Sequence, residues 1–292
     1  MPHLARKVLF AGPLVRLVDV RCREVSSTCS GEERADTHQL IVVRAGVFVK
    51  HPAFASRQSL VAEPMHALLL NRHNPFRISH PARGGDDCTV LEISPDAVTE
   101  VAAWLEERIR DRPQTPFLIS HALFTAPMRI ELHRIRSAAW RAADPMAGEE
   151  RLLELLGQVL AGGYRAHGRR KAPRREETRR AQRDLVERTR LILSSSAAKS
   201  WSLSELAREV ASSPFHLTRV FHATTGMPIH RYLRDLRLAL ALEQLGSARG
   251  RLSEVAVRSG FATHSHFSTA FRRAFGVTPS LSQSPSGMSA GP

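Results

Sequence analysis

Phe215, Thr218, Arg219 and His222 fall at helical spacing between Pro214 and Thr225, so they share one face of a helix. About fifty residues further on, Ser265, Ser268, Thr269 and Arg272 occupy the same positions, with His264 before them and Arg273 beside them. Small hydroxyls, one aromatic and several guanidiniums on a helix face suit recognition of a duplex. An arginine fork matches guanine O6 and N7, and an aromatic edge suits a thymine methyl. Phe215, Thr218, Arg219, His264, Ser265, Ser268 and Thr269 are therefore the candidate base contacts. His222, Arg272 and Arg273 are the candidate phosphate contacts. Arg231, Arg234 and Arg237, between the two sets, are positioning candidates whose bland alternative is a solvated face.

The elements that must present these residues are one unit written twice. Leu203-Ser-Glu-Leu-Ala returns as Leu252-Ser-Glu-Val-Ala, and Thr225-Gly-Met-Pro228 as Phe275-Gly-Val-Thr-Pro279. Such self-similarity fixes architecture before any finer pattern does. In the first copy Ser202 and Glu205 read as a capping box. Leu203, Leu206, Ala207 and Val210 form the inner stripe of a short helix. Ser213 then caps a second helix with Pro214 at its first position, and Leu217, Val220 and Phe221 face inward. In the second copy Leu252, Val255 and Ala256 are the stripe, Gly260 ends the helix and Thr263 caps the next. Phe267, Ala270, Phe271 and Ala274 point inward. Helix, tight turn, helix is the pattern of a helix-turn-helix reader of the major groove. An ordinary helical bundle is the bland alternative, and the duplication argues against it.

At these residues the sequence resembles the AraC/XylS family of bacterial transcription regulators. The similarity runs from about Arg183 to Pro279. It includes the helix from Pro228 to Leu245 and the pattern Gly260-Phe-x-x-x-Ser-His-Phe-Ser-x-x-Phe-Arg-Arg-x-Phe-Gly-Val-Thr-Pro279. The resemblance implies two helix-turn-helix motifs that a rigid helix holds in successive major grooves. It also implies a cupin-like N-terminal barrel that senses a small molecule. The sequence departs from the family at Thr269, where an arginine is common, and after Pro279, where an aromatic-arginine pair is common.

The 292 residues carry a formal charge of +14. From Lys171 to the end there are 19 Lys and Arg against 9 Asp and Glu, so most of the surplus lies there. A basic domain of this kind is the footprint of a polyanion binder. No apolar run is long enough for a membrane span, and the N-terminal apolar stretch is too short for a signal peptide. Cys22, Cys29 and Cys88 are odd in number and lack metal-site spacing, which fits a reducing cytoplasm.

Between Val8 and Ile93, short apolar or alternating runs at 14–20, 39–50, 59–62, 66–71, 76–79 and 88–93 are separated by Pro, Gly, Asn and Asp clusters. They predict a small β-barrel, residues 1–93, able to hold one small ligand. Ser94 and Pro95 open a helix, Pro127 a second and Glu149 to Leu160 a third. This segment, 94–165, either dimerises or packs on the barrel. The Arg- and Gly-rich stretch from Gly162 to Arg175 reads as a linker, bounded at 166–177. A helix over 178–193, with Leu185, Val186, Thr189 and Ile192 inward, opens the DNA-binding domain at 178–281. Residues 282–292 form a polar tail with the composition of disorder.

The expected class is thus α+β: a cupin-like β-barrel sensor with a helical segment, and an all-α domain with two helix-turn-helix motifs. The sequence holds no Walker loop, GxSxG or dinucleotide fingerprint, so no enzyme and no cofactor are expected. The histidines of the barrel, His38, His51, His66, His73 and His80, include no His-x-His pair. His264 and His266 have that spacing, but residues two apart on a helix do not converge. No metal is expected on that ground, and Cys88 reads as a buried strand cysteine. The expected partner is double-stranded DNA. A small-molecule effector, RNA polymerase and a second copy of the chain are further candidates, with no effector residue assigned. The competing reading is a cupin-type binding protein or enzyme whose helices contact other proteins.

Overall fold

The structure is a computed structural model, described over residues 4–23, 29–53, 59–82, 84–137, 145–168, 176–246 and 250–282. The chain forms two compact units, Met1–Arg170 and Lys171–Pro292. Residues 169–175 of the expected linker and 283–292 of the expected tail lie outside the described residues.

The N-terminal unit begins with β1 (Leu4–Ala11), β2 (Val15–Cys22), β3 (Glu33–Arg34), β4 (His38–Gly46) and β5 (Phe48–Pro52). It continues with β6 (Leu60–Ala62), β7 (His66–Leu70), β8 (Pro75–Ser79) and β9 (Asp86–Ile93). Helix α1 (Pro95–Leu105) follows, then a 3₁₀ turn at Glu107–Asp111, β10 (His121–Leu123), α2 (Ala126–Ser137) and α3 (Pro145–Gly168). Six strands form one sheet in the order β1-β2-β9-β4-β7-β10, and four form another in the order β3-β8-β5-β6.

These sheets do not close, and the expected barrel is corrected on that point. Among the described residues the end strands β1 and β10 pair only with β2 and β7. Closure needs the first and last strands of a sheet to share a ladder at a fixed stagger. The large sheet ends instead on β10, a strand contributed from within the segment read as helical. The continuous run expected at 39–50 is also two strands in different sheets, β4 and β5, parted at Gly46 and Val47.

Alternation in the large sheet sorts its side chains to two faces. Leu40 and Val42 of β4, Leu69 of β7 and Leu91 and Ile93 of β9 join one core with Val98 of α1, Leu132 of α2 and Leu155 and Leu156 of α3. Val43, Leu68 and Cys88 on the opposite face meet Phe48 and Ala62 of the small sheet, with Ile41, Leu60 and Ile78 against them. The unit is therefore three layers, helices on a six-stranded sheet on a four-stranded sheet. Its inter-sheet space is packed with side chains. Ser94 caps α1 by accepting from the Ala97 amide, with Pro95 at the start. Helix α3 continues past Gly162 to Gly168, into the stretch whose composition marks it as linker.

The C-terminal unit is all helix: α4 (Glu176–Ser195), α5 (Leu203–Glu209), α6 (Pro214–Thr225), α7 (Ile229–Leu245), α8 (Leu252–Arg258), α9 (His264–Phe275) and the single turn α10 (Pro279–Ser282). Leu185, Val186, Thr189 and Leu193 of α4 are buried, whereas Ile192 is only half-buried and Arg190 is fully buried. The Arg190 guanidinium donates to the Tyr232 hydroxyl at 3.2 Å and to the Glu187 carboxylate at 2.6 Å. It thereby ties α4 to α7 with its charge matched, as burial of an ion requires. Among the described residues no helix is long and apolar enough to cross a membrane.

Candidate nucleic-acid interface

Each motif is a short helix, a sharp turn and a longer helix held by an aromatic core. In the first, Leu206, Ala207 and Val210 are buried with Leu217, Val220 and Phe221. The Phe221 ring stands edge-on to Tyr232 of α7, centroids 5.2 Å apart. In the second, Phe261, Phe267, Phe271 and Phe275 form a continuous run of ring contacts with centroids 4.5 to 5.5 Å apart. Leu203, expected on the inner stripe, is 42% exposed, because it is the first residue of α5 and lies beyond the packed turn.

The turns correspond closely. Ala211 (φ 53°) and Gly260 (φ 82°) are both left-handed. In each case the amide of the next residue bonds back into the short helix, Ser212 to the Ala207 carbonyl and Phe261 to the Ala256 carbonyl, both at 2.9 Å. Ser213 then caps α6 by accepting from the His216 amide, and Thr263 caps α9 by accepting from the His266 amide. Both long helices end on a left-handed glycine, Gly226 or Gly276, whose amide bonds to the carbonyl of residue 222 or 272. One difference is steric. A Cβ at Gly260 would come within 2.9 Å of the Ala198 backbone, so glycine is required there for space as well as for conformation.

This frame sets the exposure of the candidate residues. Phe215 is 75% exposed, although an aromatic ring of this size is ordinarily buried. Arg219 and His222 are exposed and Thr218 is half-buried. The Arg219 guanidinium lies 5.9 Å from the Phe215 ring centroid, within reach of a weak cation–π attraction. The Thr218 hydroxyl donates within its own helix, to the Pro214 and Phe215 carbonyls, each at 3.0 Å. On α9, His264, Ser265, Thr269, Arg272 and Arg273 are exposed, and Ser268 is half-buried with its hydroxyl 3.3 Å from His264 Nε2.

Electrostatics separates these helices from their neighbours. Neither α6 nor α9 contains Asp or Glu, and among the described residues Arg219, Arg272 and Arg273 make no ion pair. Several other cations of the unit are paired. Arg231 and Arg234 both reach Asp235, at 3.8 and 2.7 Å. Arg251 and Arg258 flank Glu254 at 3.7 and 3.4 Å, and Lys199 meets Glu205 at 3.1 Å. Arg237, a positioning candidate between the two sets, is engaged by backbone rather than by an acid. It is half-buried and donates to the Ala197 carbonyl at 2.7 Å and the Lys199 carbonyl at 2.8 Å. It thus clamps the turn that follows α4 to α7. No spacing rule marks it, because its acceptors are backbone atoms some forty residues earlier.

Comparison with known proteins matches this unit. A family model described as a helix-turn-helix domain covers residues 206–283. The chain is 34% identical over 98 residues to the HTH-type transcriptional activator RhaR of Enterobacter sp. (strain 638), covering 34% of this chain and 35% of that protein. It is 28% identical over 98 residues to the HTH-type transcriptional regulator ExsA of Pseudomonas aeruginosa, covering 34% and 35%. A longer match, 29% over 137 residues, joins it to RhaR of Salmonella dublin and covers 47% of each chain. The chain thus aligns with about a third to a half of the length of these curated relatives.

Proposed function

We propose that the chain is a transcription regulator of the AraC/XylS helix-turn-helix type, which binds a specific DNA site and regulates transcription there. In this reading α6 and α9 enter two major grooves. Arg219 meets a guanine edge and Phe215 a thymine methyl. Thr218, His264, Ser265, Ser268 and Thr269 meet other base edges, while His222, Arg272 and Arg273 hold phosphates. The carrying observation is the absence of acid from α6 and α9 beside three unpaired guanidiniums. Left in water, such charges gain little; set against phosphates, they release condensed counterions. Helix α7, 17 residues long, measures about 26 Å at 1.5 Å per residue. With the flanking helices, that length suits grooves about 34 Å apart.

In this reading the N-terminal unit is the controlling half, responding to a small molecule in the cytoplasm or pairing with a second copy. The test of the DNA reading is footprinting on the DNA flanking the gene. Protection of roughly 20 base pairs, two turns of duplex, in two unlike halves is expected. Binding with no preference over scrambled sequence would refute the reading.

A further inference from the structure

The N-terminal unit brings together three side chains that lie far apart in the sequence. Cys22 ends β2, Asp86 opens β9, and the two are direct partners across the ladder. His80 follows β8, in the other sheet. The Cys22 sulfur, a His80 ring nitrogen and an Asp86 carboxylate oxygen all lie within 4.8 Å of one another. Gly85, with φ 69°, makes the approach possible: a Cβ there would run into the Cys22 carbonyl oxygen.

We propose that Cys22, His80 and Asp86 bind one divalent transition-metal ion of the zinc class. A thiolate, an imidazole and a carboxylate form a mixed soft and borderline donor set, which selects zinc-like ions over magnesium or calcium. Ligand bonds of about 2.0–2.3 Å around a tetrahedral centre place donor atoms roughly 3–4 Å apart, within the span seen here. The thiolate and carboxylate supply two negative charges, which balance a divalent ion beside a neutral imidazole. Three protein ligands leave a fourth position for water or a small ligand.

The surroundings fit the same use. His80 and Asp86 are both buried, with His80 Nε2 2.8 Å from Asp86 Oδ1. The other carboxylate oxygen, Oδ2, accepts from the Cys88 thiol at 2.9 Å. That bond orients the carboxylate from behind, as outer hydrogen bonds do around metal ligands. The opposing reading is a buried His–Asp pair that only fastens the loop before β9. Such a pair has no need of Cys22.

The test uses the full chain, reduced, stripped with chelator and titrated with Co(II). One Co(II) per chain is expected, with a thiolate-to-cobalt charge-transfer band that Zn(II) displaces. Cys22→Ser should abolish that band and weaken metal binding by about tenfold or more, and Cys29→Ser should leave both unchanged. In the wild-type chain, Zn(II) should also protect Cys22, but not Cys29, from alkylation mapped by mass spectrometry. That measurement needs no variant to fold. Absence of the band in wild type, an unchanged band in a folded Cys22→Ser chain, or equal alkylation of Cys22 with and without Zn(II) would each overturn the proposal. None of these readouts involves DNA, so the site stands or falls apart from the DNA-binding reading.

Discussion

The two helix-turn-helix copies share a backbone plan and differ in what they display. Both turn through a left-handed residue, both cap the long helix with a hydroxyl, and both end it on glycine. On the outer face the first copy carries an aromatic and a mid-helix arginine, Phe215 and Arg219. The second carries hydroxyls at those positions, Ser265 and Thr269, with its arginines later in the helix at 272 and 273. The packed side of the module is therefore fixed by the need to bury the same apolar stripe, and the outer side is free to differ. In the proposed function the first copy reads bases with a charged fork, and the second relies more on phosphate.

That comparison predicts equal sensitivity inside the modules and unequal sensitivity outside. Phe221→Ala and Phe271→Ala each remove a fully buried ring, and each should lower stability by about 3–5 kcal/mol. Chemical denaturation of the two variants measures this, and a large gap between them would break the equivalence of the cores. Arg219→Ala should cost about 1–3 kcal/mol of specific binding. Thr269→Ala should cost less, about 0.5–1.5 kcal/mol, as the loss of one neutral hydrogen bond. Competition binding against scrambled DNA decides between the pair, and a larger loss at Thr269 would reverse the assignment of roles.

The turns should respond oppositely. Gly260→Ala adds a Cβ against the Ala198 backbone at a left-handed position, and should destabilise by about 1–3 kcal/mol. Ala211→Gly relieves a left-handed alanine and should change stability by less than about 1 kcal/mol, in the stabilising direction. Thermal unfolding of both variants sharpens the comparison of the turns.

The helix starts differ as well. Ser202 and Glu205 form a capping box on α5, whereas Arg251 starts α8 with no side-chain cap. Ser202→Ala should cost about 1 kcal/mol, and Arg251→Ser should gain at most that. Hydrogen bonds from Lys199, and next from the Ser202 amide, hold the Glu205 carboxyl below its usual range. A carboxylate depressed on folding stabilises above its unfolded pKa and loses that contribution as pH falls through the folded value. The advantage of the first copy's short helix should therefore fade in acid. Amide exchange of α5 against α8 across that pH range measures it.

Smallest of all, Arg272→Ala should weaken binding to all sequences alike and lower the slope of log affinity against log salt by about 1. An unchanged slope would remove Arg272 from the phosphate contacts.

Much of the C-terminal unit was legible because its signals are local. Ser213 before Pro214, Thr263 before His264 and the heavy apolar stripes of α6 and α9 each act within a turn or two of chain. The N-terminal sheets were legible only in part. Strand β1 buries little beyond Phe10, so it shows no alternation, and β10 is three residues inside a stretch patterned for helix. The count of strands suggested closure, but closure depends on which ends meet. Nothing local in the sequence singles out Arg190, and Arg237 reads there only as a positioning candidate. One is buried against Tyr232, and the other is bound to carbonyls of the turn after α4.

The sequence by itself determined the doubled module, its caps, its inner stripes and the basic residues of its outer faces. These follow from periodicity and from side-chain bonds to nearby backbone. Only the tertiary structure decided that the β-sheets stay open, that Arg237 serves as a clamp, and that Cys22, His80 and Asp86 meet. Each of those depends on strands or helices distant in the chain coming into register. That outcome is set by the packing of the whole unit and is invisible in any short stretch of residues.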